Sequence, residues 1–538
     1  MSDMMSSDVG TFLDQLSTLA DKKPSSELAA CASTLTFDVH RPLFVSRAPG
    51  RLDVMGGIAD YSGSLVLQMP IAEATIVAIQ LFPTPADSSA SRLIRAASVG
   101  GAAAKRAPSF EMPLQKLFSC ADGGPTPLAE LQAFFAAQAD AQWAAYVVGV
   151  LGVLAHEPET RRALAACGGC SVLVSSAVPE GKGVSSSAAV EVATMMAALG
   201  ALGVTMQPSE RVATLCQRVE NFVVGAPCGI MDQMASSLGH ESKLLPLLCQ
   251  PAIVEPPVAI PSHLRFWGID SGVAHSVGGC DYGTVRTATF MAKTVLRAEL
   301  ASRAQAAAAG GEASGKCQVL PAQVTALEYL VALSPSLLAE LAPCLPAAIR
   351  GADFSAKYGS HGDAATNVEA ETVYDLRGCA AHPVHEHFRV RTFRQLLSHT
   401  PSDEQLEGLG ELMYQSHASY SAIGLGSSAT DSIVQLVRSL GPASGLYGAK
   451  ITGGGSGGTV CVLGAATAEA EASFQKVLAA YSALSGHTPY VVAGSSLGAI
   501  EFGHVEVADV RDGARALAAD GGASSNARAG KGKKRQHD

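Results

Sequence analysis

The chain has 538 residues, of which 48% are hydrophobic and 16% are charged, and its formal net charge is −10. This composition is typical of a globular protein with well-buried cores and excludes a largely disordered chain. The negative charge argues against a protein that coats nucleic acid, so an anionic ligand would need a local binding device. The sequence has no apolar run long enough to cross a bilayer and no secretory signal pattern at its N-terminus. We therefore expect a cytoplasmic protein of several domains, with no membrane or nucleic-acid partner.

In chain order, residues 1–40 predict one helix followed by a linker. The next stretch, RAPGRLDVMGGIADYSG from residue 47, indicates a strand, a glycine-rich turn and a second strand. It places Arg51, Asp53 and Asp60 beside backbone that carries few side chains, with the apolar Ile58 among them. This unusual combination makes the stretch the first candidate for a functional segment.

Residues 129–157 carry a long helical pattern. Cys167 and Cys170 follow it as a single CxxC pair. A structural zinc site needs four ligands, and no second pair stands at a suitable spacing. We interpret both cysteines as ordinary thiols before a strand.

The strongest chemical signal is VPEGKGVSSSAAVEVA from residue 178, where a strand over 172–178 leads through glycines into a helix that opens with three serines. Glycines let backbone N–H groups approach a ligand closely, and a helix start adds unpaired N–H donors. The segment therefore predicts a phosphate site, although the Walker pattern GxxxxGK[ST] is absent. The alternative is a structural glycine turn with a serine N-cap.

Two further segments strengthen the phosphate-site interpretation. ENFVVGAPCGIMDQMASSLG places Glu220 near a helix end and Asp232 after a tight Pro-Cys-Gly turn. GAKITGGGSGGTVCVL from residue 448 places five glycines between two predicted strands. The glycine-rich hairpin alone is a weak signal, but three such segments in one chain are hard to obtain by chance.

These three segments resemble the signature motifs of the GHMP kinases, the superfamily of galactokinase, homoserine kinase and mevalonate kinase. The resemblance spans most of residues 41–505 and is strongest to galactokinases, whose first motif reads G-R-x-N-x-x-G-E-H-x-D-Y-x-G where this chain reads GRLDVMGGIADYSG. It implies an α+β, two-domain GHMP kinase fold with the active site in the cleft between the domains. The implied units are an extension (1–40), a ribosomal-S5-like α+β domain (41–265), a ferredoxin-like α+β domain (266–510, with a low-complexity insertion near 304–318) and a disordered basic tail (511–538).

The resemblance also implies an ATP-dependent sugar 1-kinase that uses Mg²⁺. Asp232 would be the base that takes the proton of the anomeric hydroxyl, and Arg51 would lie beside it. The implied metal-binding residues are Ser187 and Glu220. The implied sugar-binding residues are Asp60, Tyr282, Gly57, Ile58 and Gly229. The implied nucleotide-binding residues are Pro179, Gly181, Lys182, Gly183, Val184, Ser185, Ser186, Ser187, Ala188, Gly454 and Gly455.

Two departures from the galactokinase motif bear on the substrate. Gly57 and Ile58 stand where galactokinases carry Glu-His, beside the C6 hydroxymethyl of the sugar, so a substrate hydroxyl there would lose its partners. This favours L-arabinose, which is galactose without C6, and the stretch resembles plant-type L-arabinokinases. Only about 40 residues precede the first motif, so the glycosyltransferase-like region common in that family is not expected here. Asp53 replaces an Asn, and its extra charge could weaken the action of the neighbouring Arg51.

Alternatives remain open at this stage. The protein could be a galactokinase or related hexose 1-kinase in which Asp53 or Glu73 reaches the C6 hydroxyl. It could also be a non-catalytic regulator that binds sugar and ATP on the same fold. The histidines of HPVHEHF (His382, His385 and His387) lack the HExxH spacing, and we expect them on a partly exposed helix or loop. The sequence leaves the oligomeric state open, with a monomer as one option.

Overall fold

The computed structural model describes residues 2–20, 28, 31, 34–38, 40–84, 91–99, 106–119, 123–274, 280–308, 327–397 and 400–508. The predicted tail (511–538) and residues 309–318 of the predicted insertion lie outside these ranges. The described part mixes helices and strands, which confirms the predicted α+β class. In the part that the structure describes, none of the helices is long and apolar enough to span a membrane.

The strands are β1 (Leu43–Met55), β2 (Leu65–Leu81), β3 (Leu93–Ser98), β4 (Ser109–Pro113), β5 (Gly169–Ser176), β6 (Lys243–Leu248), β7 (Ile253–Val254), β8 (Val258–Ala259), β9 (Leu264–Asp270), β10 (Ala348–Arg350), β11 (Val373–Asp375), β12 (Leu446–Ile451), β13 (Thr459–Ala465), β14 (Val491–Ala493) and β15 (Val505–Val507). The helices are α1 (Ser2–Ala20), α2 (Leu128–Ala136), α3 (Ala144–His156), α4 (Pro158–Ala166), α5 (Ser186–Leu202), α6 (Glu210–Val219), α7 (Met231–Leu238), α8 (Cys280–Ala308), α9 (Pro335–Leu341), α10 (Gly351–Tyr358), α11 (Leu376–Leu397), α12 (Asp403–Ala422), α13 (Ser428–Leu440), α14 (Ala468–Ser485) and α15 (Ala499–Phe502).

The first sheet has the strand order β15-β1-β2-β5-β3-β4, and β6 pairs with β2. Its pairs are antiparallel except for β3 with β5. Helix α5 packs against β1 and β2 on one side, while α11 packs against the same strands on the other. This double covering explains why the residues of β1 and β2 are almost continuously buried rather than alternately buried and exposed.

The helical pattern predicted over 129–157 is broken in the structure. It forms α2 and α3, separated by a short 3-10 turn at Ala139–Ala141. Helix α3 ends at His156, because the helical conformation is disfavoured for a residue that precedes proline, and Glu157 is accordingly extended. Pro158 is the first residue of α4, a position at which proline is tolerated. Cys167 and Cys170 are both buried free thiols, and Cys170 lies inside β5.

The second sheet has the order β12-β13-β9-β14, and all of its pairs are antiparallel. Helices α12, α13 and α14 pack against this sheet. The core beneath it includes Trp267 and Phe474, whose rings stack with centroids 4.6 Å apart. A separate apolar cluster joins α8, α9 and α11 to the end of this unit that faces the cleft.

The two sheets meet through a buried ion pair. Asp53 of β1 accepts a hydrogen bond from Lys450 Nζ of β12 at 2.7 Å, and both side chains have 0% exposure. Gln68 donates to the other carboxylate oxygen at 2.7 Å, and the Asp53 amide donates to Thr452 Oγ1 at 2.6 Å. The Asp53 carboxylate is therefore engaged by the second sheet instead of standing free beside Arg51.

We predict that Lys450→Met destabilises the protein by about 3–5 kcal/mol, because it leaves the Asp53 carboxylate buried without its cation. Urea denaturation at pH 7 measures the change. Adding Asp53→Asn to that variant should recover most of the loss, since the unpaired charge is then gone. The exposed Lys476→Met on α14 serves as the control and should change little; an equal loss in both lysine variants would contradict the prediction.

Candidate active site

A cavity of about 290 Å³ lies where the first sheet, the loop before α5 and the β12–β13 hairpin meet. It brings together most of the residues predicted from the three motifs: Arg51, Ile58, Asp60, Gly181, Gly183, Ser185, Ser186, Ser187, Glu220, Gly229, Asp232, Tyr282 and Gly454. Tyr146, Ala226, Cys228 and Met231 also line the cavity but were not predicted. Cys228 and Met231 are adjacent to predicted residues in the sequence and Ala226 lies three residues from one, whereas Tyr146 lies on α3, whose apolar pattern carries no functional signal.

The centre of the cavity is a bidentate ion pair. Arg51 Nε donates to Asp232 Oδ1 and Arg51 Nη2 donates to Oδ2, each at 2.9 Å. Ser185 Oγ donates to the same Oδ2 at 2.5 Å, and Arg51 Nη1 donates to the Gly183 carbonyl oxygen at 2.6 Å. Arg51 is only 2% exposed, while the Asp232 side chain keeps 21% exposure. The carboxylate is therefore fixed in orientation but reachable from the cavity.

The loop before α5 (residues 179–185), called the phosphate loop below, has the backbone of an anion-binding turn. Gly181 and Gly183 have positive φ angles of 67° and 70°, and Ser185 has a φ of 61°. A left-handed conformation is uncommon for serine, and such backbone concentrates at ligand-binding sites. Helix α5 begins directly afterwards, so the amide groups of its first turn, including those of Ser186 and Ser187, are available at the cavity wall.

Several predicted nucleotide-binding residues do not line this cavity. The Lys182 side chain pairs with Asp270 of β9 at 2.8 Å, so an acidic partner from the second sheet holds it away from the phosphate loop. Val184 and Ala188 are buried, and Val184 contributes its carbonyl oxygen to the Arg51 amide at 3.0 Å. Pro179 and Gly455 are likewise absent from the wall. These residues shape the loop and the hairpin rather than contact the cavity.

The turn at residues 56–60, which belongs to the predicted sugar motif and is called the sugar turn below, places the apolar Ile58 side chain in the cavity at a conformational cost. Ile58 has a φ of 62°, which is a strained angle for a β-branched residue, yet its side chain is 99% buried and lines the cavity. Gly57 lies behind this wall and does not line it. Asp60 and Tyr282 both face the cavity. Gly229 is required beside Asp60, because a Cβ there would lie 1.5 Å from Asp60 Oδ2.

Carboxylates crowd the cavity. Burial and then the negative charge of Asp232 raise the pKa of Asp60 from 3.8 to about 6, against the opposing effect of Arg286. Burial and then Asp232 also raise the pKa of Glu220 from 4.5 to about 7. Glu220 lies on a π-helical turn at the end of α6, a local irregularity that is frequent at functional sites. Each of these carboxylates would be stabilised by a nearby cation or hydrogen-bond donor.

The donor set around Glu220 suits Mg²⁺. The nearby Ser187 hydroxyl lowers the pKa of the Glu220 carboxyl, and Gln233 donates a hydrogen bond to that carboxylate at 2.5 Å. Glu191 lies alongside, and one of its oxygens has no partner among the described atoms. Within the described residues, His, Cys, Asp and Glu form no group of three or more that could hold a metal ion unaided. Mg²⁺ is usually bound by one or two carboxylates together with substrate phosphates, so this oxygen set fits it.

A second cavity of about 230 Å³ opens beside the first. Tyr146, Gly181, Ser186 and Ser187 line both cavities, so the two are continuous around the phosphate loop. Its far wall carries Trp143 with the Arg106 guanidinium 5.7 Å from the ring centroid, which offers a flat aromatic surface for a nucleotide base. This wall is not predictable from the sequence, because a single Trp before a helix has no distinctive spacing.

Three protein-family models match parts of the chain that contribute to this site. Residues 145–240 match the GHMP kinases N terminal domain, residues 35–81 match the galactokinase galactose-binding signature, and residues 395–483 match the GHMP kinases C terminal domain. The chain therefore contains GHMP kinase and galactokinase-like domains. The predicted resemblance and the fold class are therefore confirmed.

Relatives of this chain include two curated proteins. The chain is 43% identical to the L-arabinokinase of Arabidopsis thaliana over 547 residues, which covers 93% of this chain and 51% of that protein. It is 31% identical to a galactokinase of Chloroflexus aggregans over 265 residues, which covers 48% of this chain and 57% of that protein. The chain thus spans only about half of the length of these relatives. Lactococcus lactis galactokinase, solved with galactose, shares the fold with a TM-score of 0.59 at 20% identity, covering 85% of this chain and 94% of that one.

The structure refines two expectations from the sequence. The histidines of HPVHEHF lie on α11, a partly exposed helix as expected, on which His385 is exposed, His387 is half-buried and His382 is only 1% exposed. Burial lowers the pKa of His382 to about 4, so its neutral ring donates from Nε2 to the Gly57 carbonyl oxygen at 3.1 Å. Asp53 does not stand free against Arg51, because Lys450 neutralises it in the core.

We predict that Glu220→Gln stabilises the ligand-free protein at alkaline pH. The folded protein holds the Glu220 proton up to about pH 7, whereas the unfolded chain releases it near pH 4.5, so stability falls as pH rises through that window. The variant removes this loss and should raise the free energy of unfolding at pH 8 by on the order of 2 kcal/mol, with little change at pH 4.5. Urea titrations at the two pH values measure it. The exposed Glu340→Gln on α9 is the control, and an equal gain at both pH values would contradict the explanation.

Proposed function

We propose that the protein is an ATP-dependent sugar 1-kinase that phosphorylates the anomeric hydroxyl of L-arabinose, giving L-arabinose 1-phosphate and ADP. The observation that carries the proposal is the Arg51–Asp232 ion pair, which lies in one cavity with both the phosphate loop and the sugar turn. A relative that is 43% identical is named L-arabinokinase, in support of the sugar.

The chemistry follows from the placement of Asp232. Its carboxylate accepts the proton of the anomeric hydroxyl as that oxygen bonds to the γ-phosphorus, and the bond from the γ-phosphorus to the bridging oxygen of ADP breaks. Arg51 holds the carboxylate in place through two hydrogen bonds, and Ser185 adds a third. Phosphoryl transfer requires mainly positioning and charge stabilisation, and the amides before α5 with the Arg51 guanidinium supply both.

The nucleotide would occupy both cavities. Its base would pack against Trp143 in the second cavity, and its phosphates would lie on the phosphate loop that borders both. Ser187 and Glu220 are the residues that would hold Mg²⁺, which would neutralise phosphate charge when bound. A cation there would also stabilise the charged form of Glu220, which burial and the negative charge of Asp232 disfavour.

Selectivity for L-arabinose would come from Ile58. The Ile58 side chain presents an apolar surface to the cavity where a hydroxymethyl group would need hydrogen-bond partners. Neither residue suggested as a replacement partner is available. Asp53 is paired with Lys450. Glu73 does not line the cavity, and it accepts a hydrogen bond from Tyr490 at 2.8 Å. A hydroxyl buried without a partner costs about 1–3 kcal/mol, or roughly 5- to 150-fold in selectivity.

Two alternatives differ in their outcomes. A galactokinase or related hexose 1-kinase would prefer D-galactose in the same assay. A non-catalytic regulator would bind sugar and ATP without turnover, but the base, the phosphate loop and the candidate metal ligands are all intact in one cavity, which favours an enzyme. The cytoplasmic location, the dependence on Mg²⁺, the domain boundaries and the oligomeric state stay predictions.

We predict that the purified protein releases ADP from Mg²⁺-ATP with L-arabinose at least about 5-fold more efficiently than with D-galactose at matched concentrations, because Ile58 offers no partner to the C6 hydroxyl. A coupled assay of ADP release gives kcat/KM for both sugars. Asp232→Asn should lower kcat by about 10²–10⁴-fold, as expected for loss of a general base. Asp14→Asn, which alters an exposed carboxylate on α1, is the control.

The outcomes separate the alternatives. Preference for D-galactose would overturn the assignment of the sugar while leaving kinase chemistry in place. Saturable sugar binding without ADP release would overturn the kinase proposal in favour of the regulator. Full activity of Asp232→Asn would exclude Asp232 as the base.

We predict that Trp143→Ala raises KM for ATP by roughly 5-fold or more while leaving KM for the sugar unchanged, because the ring lines the second cavity alone. Initial rates at varied ATP and saturating sugar measure the effect. Phe388→Ala, a change at a 58% exposed aromatic, is the control. An equal rise in both Michaelis constants would contradict a role of Trp143 in binding the nucleotide alone.

A further inference from the structure

Tyr420 of α12 lies directly behind the sugar turn without lining the cavity. Its side chain is completely buried, and its hydroxyl donates to the Gly453 carbonyl oxygen at 2.9 Å. A Cβ atom built on Gly57 would lie 2.0 Å from this hydroxyl oxygen. The hydroxyl therefore occupies the volume in which any side chain at position 57 would begin.

The turn has little freedom to move away from Tyr420. Asp53 Oδ2 accepts a hydrogen bond from the Gly57 amide at 3.1 Å, and His382 Nε2 donates to the Gly57 carbonyl oxygen at 3.1 Å. Asp53 is itself fixed by Lys450. The His382 ring packs edge-on against the Tyr420 ring, with centroids 5.1 Å apart, and Lys450 Nζ lies 5.4 Å from the Tyr420 ring centroid.

We infer that Tyr420 is a specificity-determining positioning residue: its hydroxyl enforces glycine at position 57 and so keeps that side of the sugar cavity free of a polar side chain. The inference rests on the proposed function, since it explains how preference for a sugar without a hydroxymethyl group is maintained. The same packing holds the Ile58 side chain in the cavity wall, because the strained φ of Ile58 follows directly on the fixed Gly57 peptide.

Tyr420 also connects this turn to the reacting groups. The carbonyl that it binds belongs to Gly453, whose φ is 70°. A Cβ on Gly453 would lie 2.7 Å from the Gly183 carbonyl oxygen and 3.1 Å from Arg51 Nη2. The hairpin thus approaches the phosphate loop and Arg51 closely, and the Tyr420 hydrogen bond helps to fix that approach.

The first test measures steric coupling by a double-mutant cycle on melting temperature. Gly57→Ala should lower the Tm of the protein by several degrees, whereas in the Tyr420→Phe background the added loss should be much smaller. The reason is that, among the atoms of the described residues, the new Cβ would lie within 3 Å of the Tyr420 hydroxyl (2.0 Å) and of Asp53 Oδ2 (2.5 Å), and Tyr420→Phe removes the nearer contact. Tyr481→Phe is a matched control, since Tyr481 is equally buried and its hydroxyl donates to the Ser271 carbonyl oxygen at 2.7 Å in another part of the unit.

The second test measures sugar selectivity. Gly57→Glu with Ile58→His introduces the galactokinase pair, and with Tyr420 present we expect a lowered Tm and no gain in activity on D-galactose. Adding Tyr420→Phe should restore part of the Tm and raise the ratio of kcat/KM for D-galactose over L-arabinose at least 10-fold above that of the pair alone. Adding Tyr481→Phe instead should leave the ratio unchanged.

The inference falls if Gly57→Ala costs the same Tm in the Tyr420 and Tyr420→Phe backgrounds, or if the pair changes selectivity equally well with Tyr420 in place. Failure of the proposed function is seen separately, as absence of L-arabinose turnover in the unsubstituted protein. In that case the Tm cycle still decides the steric claim, and sugar binding by calorimetry replaces turnover as the measure of selectivity.

Discussion

Asp53 of β1 and Lys450 of β12 form a fully buried ion pair on which the geometry of the cleft depends. Asp53 lies two residues after Arg51 and four before Gly57, while Lys450 lies three residues before Gly453 in the glycine hairpin. The pair therefore sets the spacing between Arg51, the sugar turn and the hairpin. Two charges removed from water must compensate each other, so a displacement of either strand would expose an uncompensated charge. This makes the relative position of the two sheets well defined at the site.

The charges that face the cavity are less well compensated than those of the Asp53–Lys450 pair behind it. Asp60, Asp232 and Glu220 face the same space, and burial with mutual repulsion raises the pKa of both Asp60 and Glu220. Arg51 compensates Asp232 directly, and Arg286 opposes the charge of Asp60 from a distance. The excess negative charge destabilises the ligand-free protein but suits a site that receives hydroxyl donors and a cation. Such trade-offs between stability and binding are common at functional sites.

The sequence predicted what is encoded in contiguous segments and missed what depends on tertiary packing. The phosphate loop and the α+β class were recognisable, because glycine-rich turns and strand and helix patterns are local signals. Lys450, Tyr420 and Trp143 were not singled out, since their roles come from partners far away in the chain; Lys450 and Asp53 are 397 residues apart. The direction of the Lys182 side chain was also beyond local reasoning, because Asp270 of the second sheet determines it. The burial of His382 was likewise not predicted, because the surface that covers it comes from other segments.

These observations imply that the selectivity of the cleft resides in two layers. The inner layer is Ile58, which contacts the cavity, and the outer layer comprises Asp53, His382 and Tyr420, which hold the Gly57 peptide from behind. A strained φ at a β-branched residue persists only where its surroundings over-determine it, and the outer layer provides that constraint. Arg51 and Asp232, which we propose to act on the anomeric end of the sugar, are held by hydrogen bonds to each other and to the phosphate loop. Under that proposal, selectivity would change at one end of the sugar while the chemistry at the other end is retained.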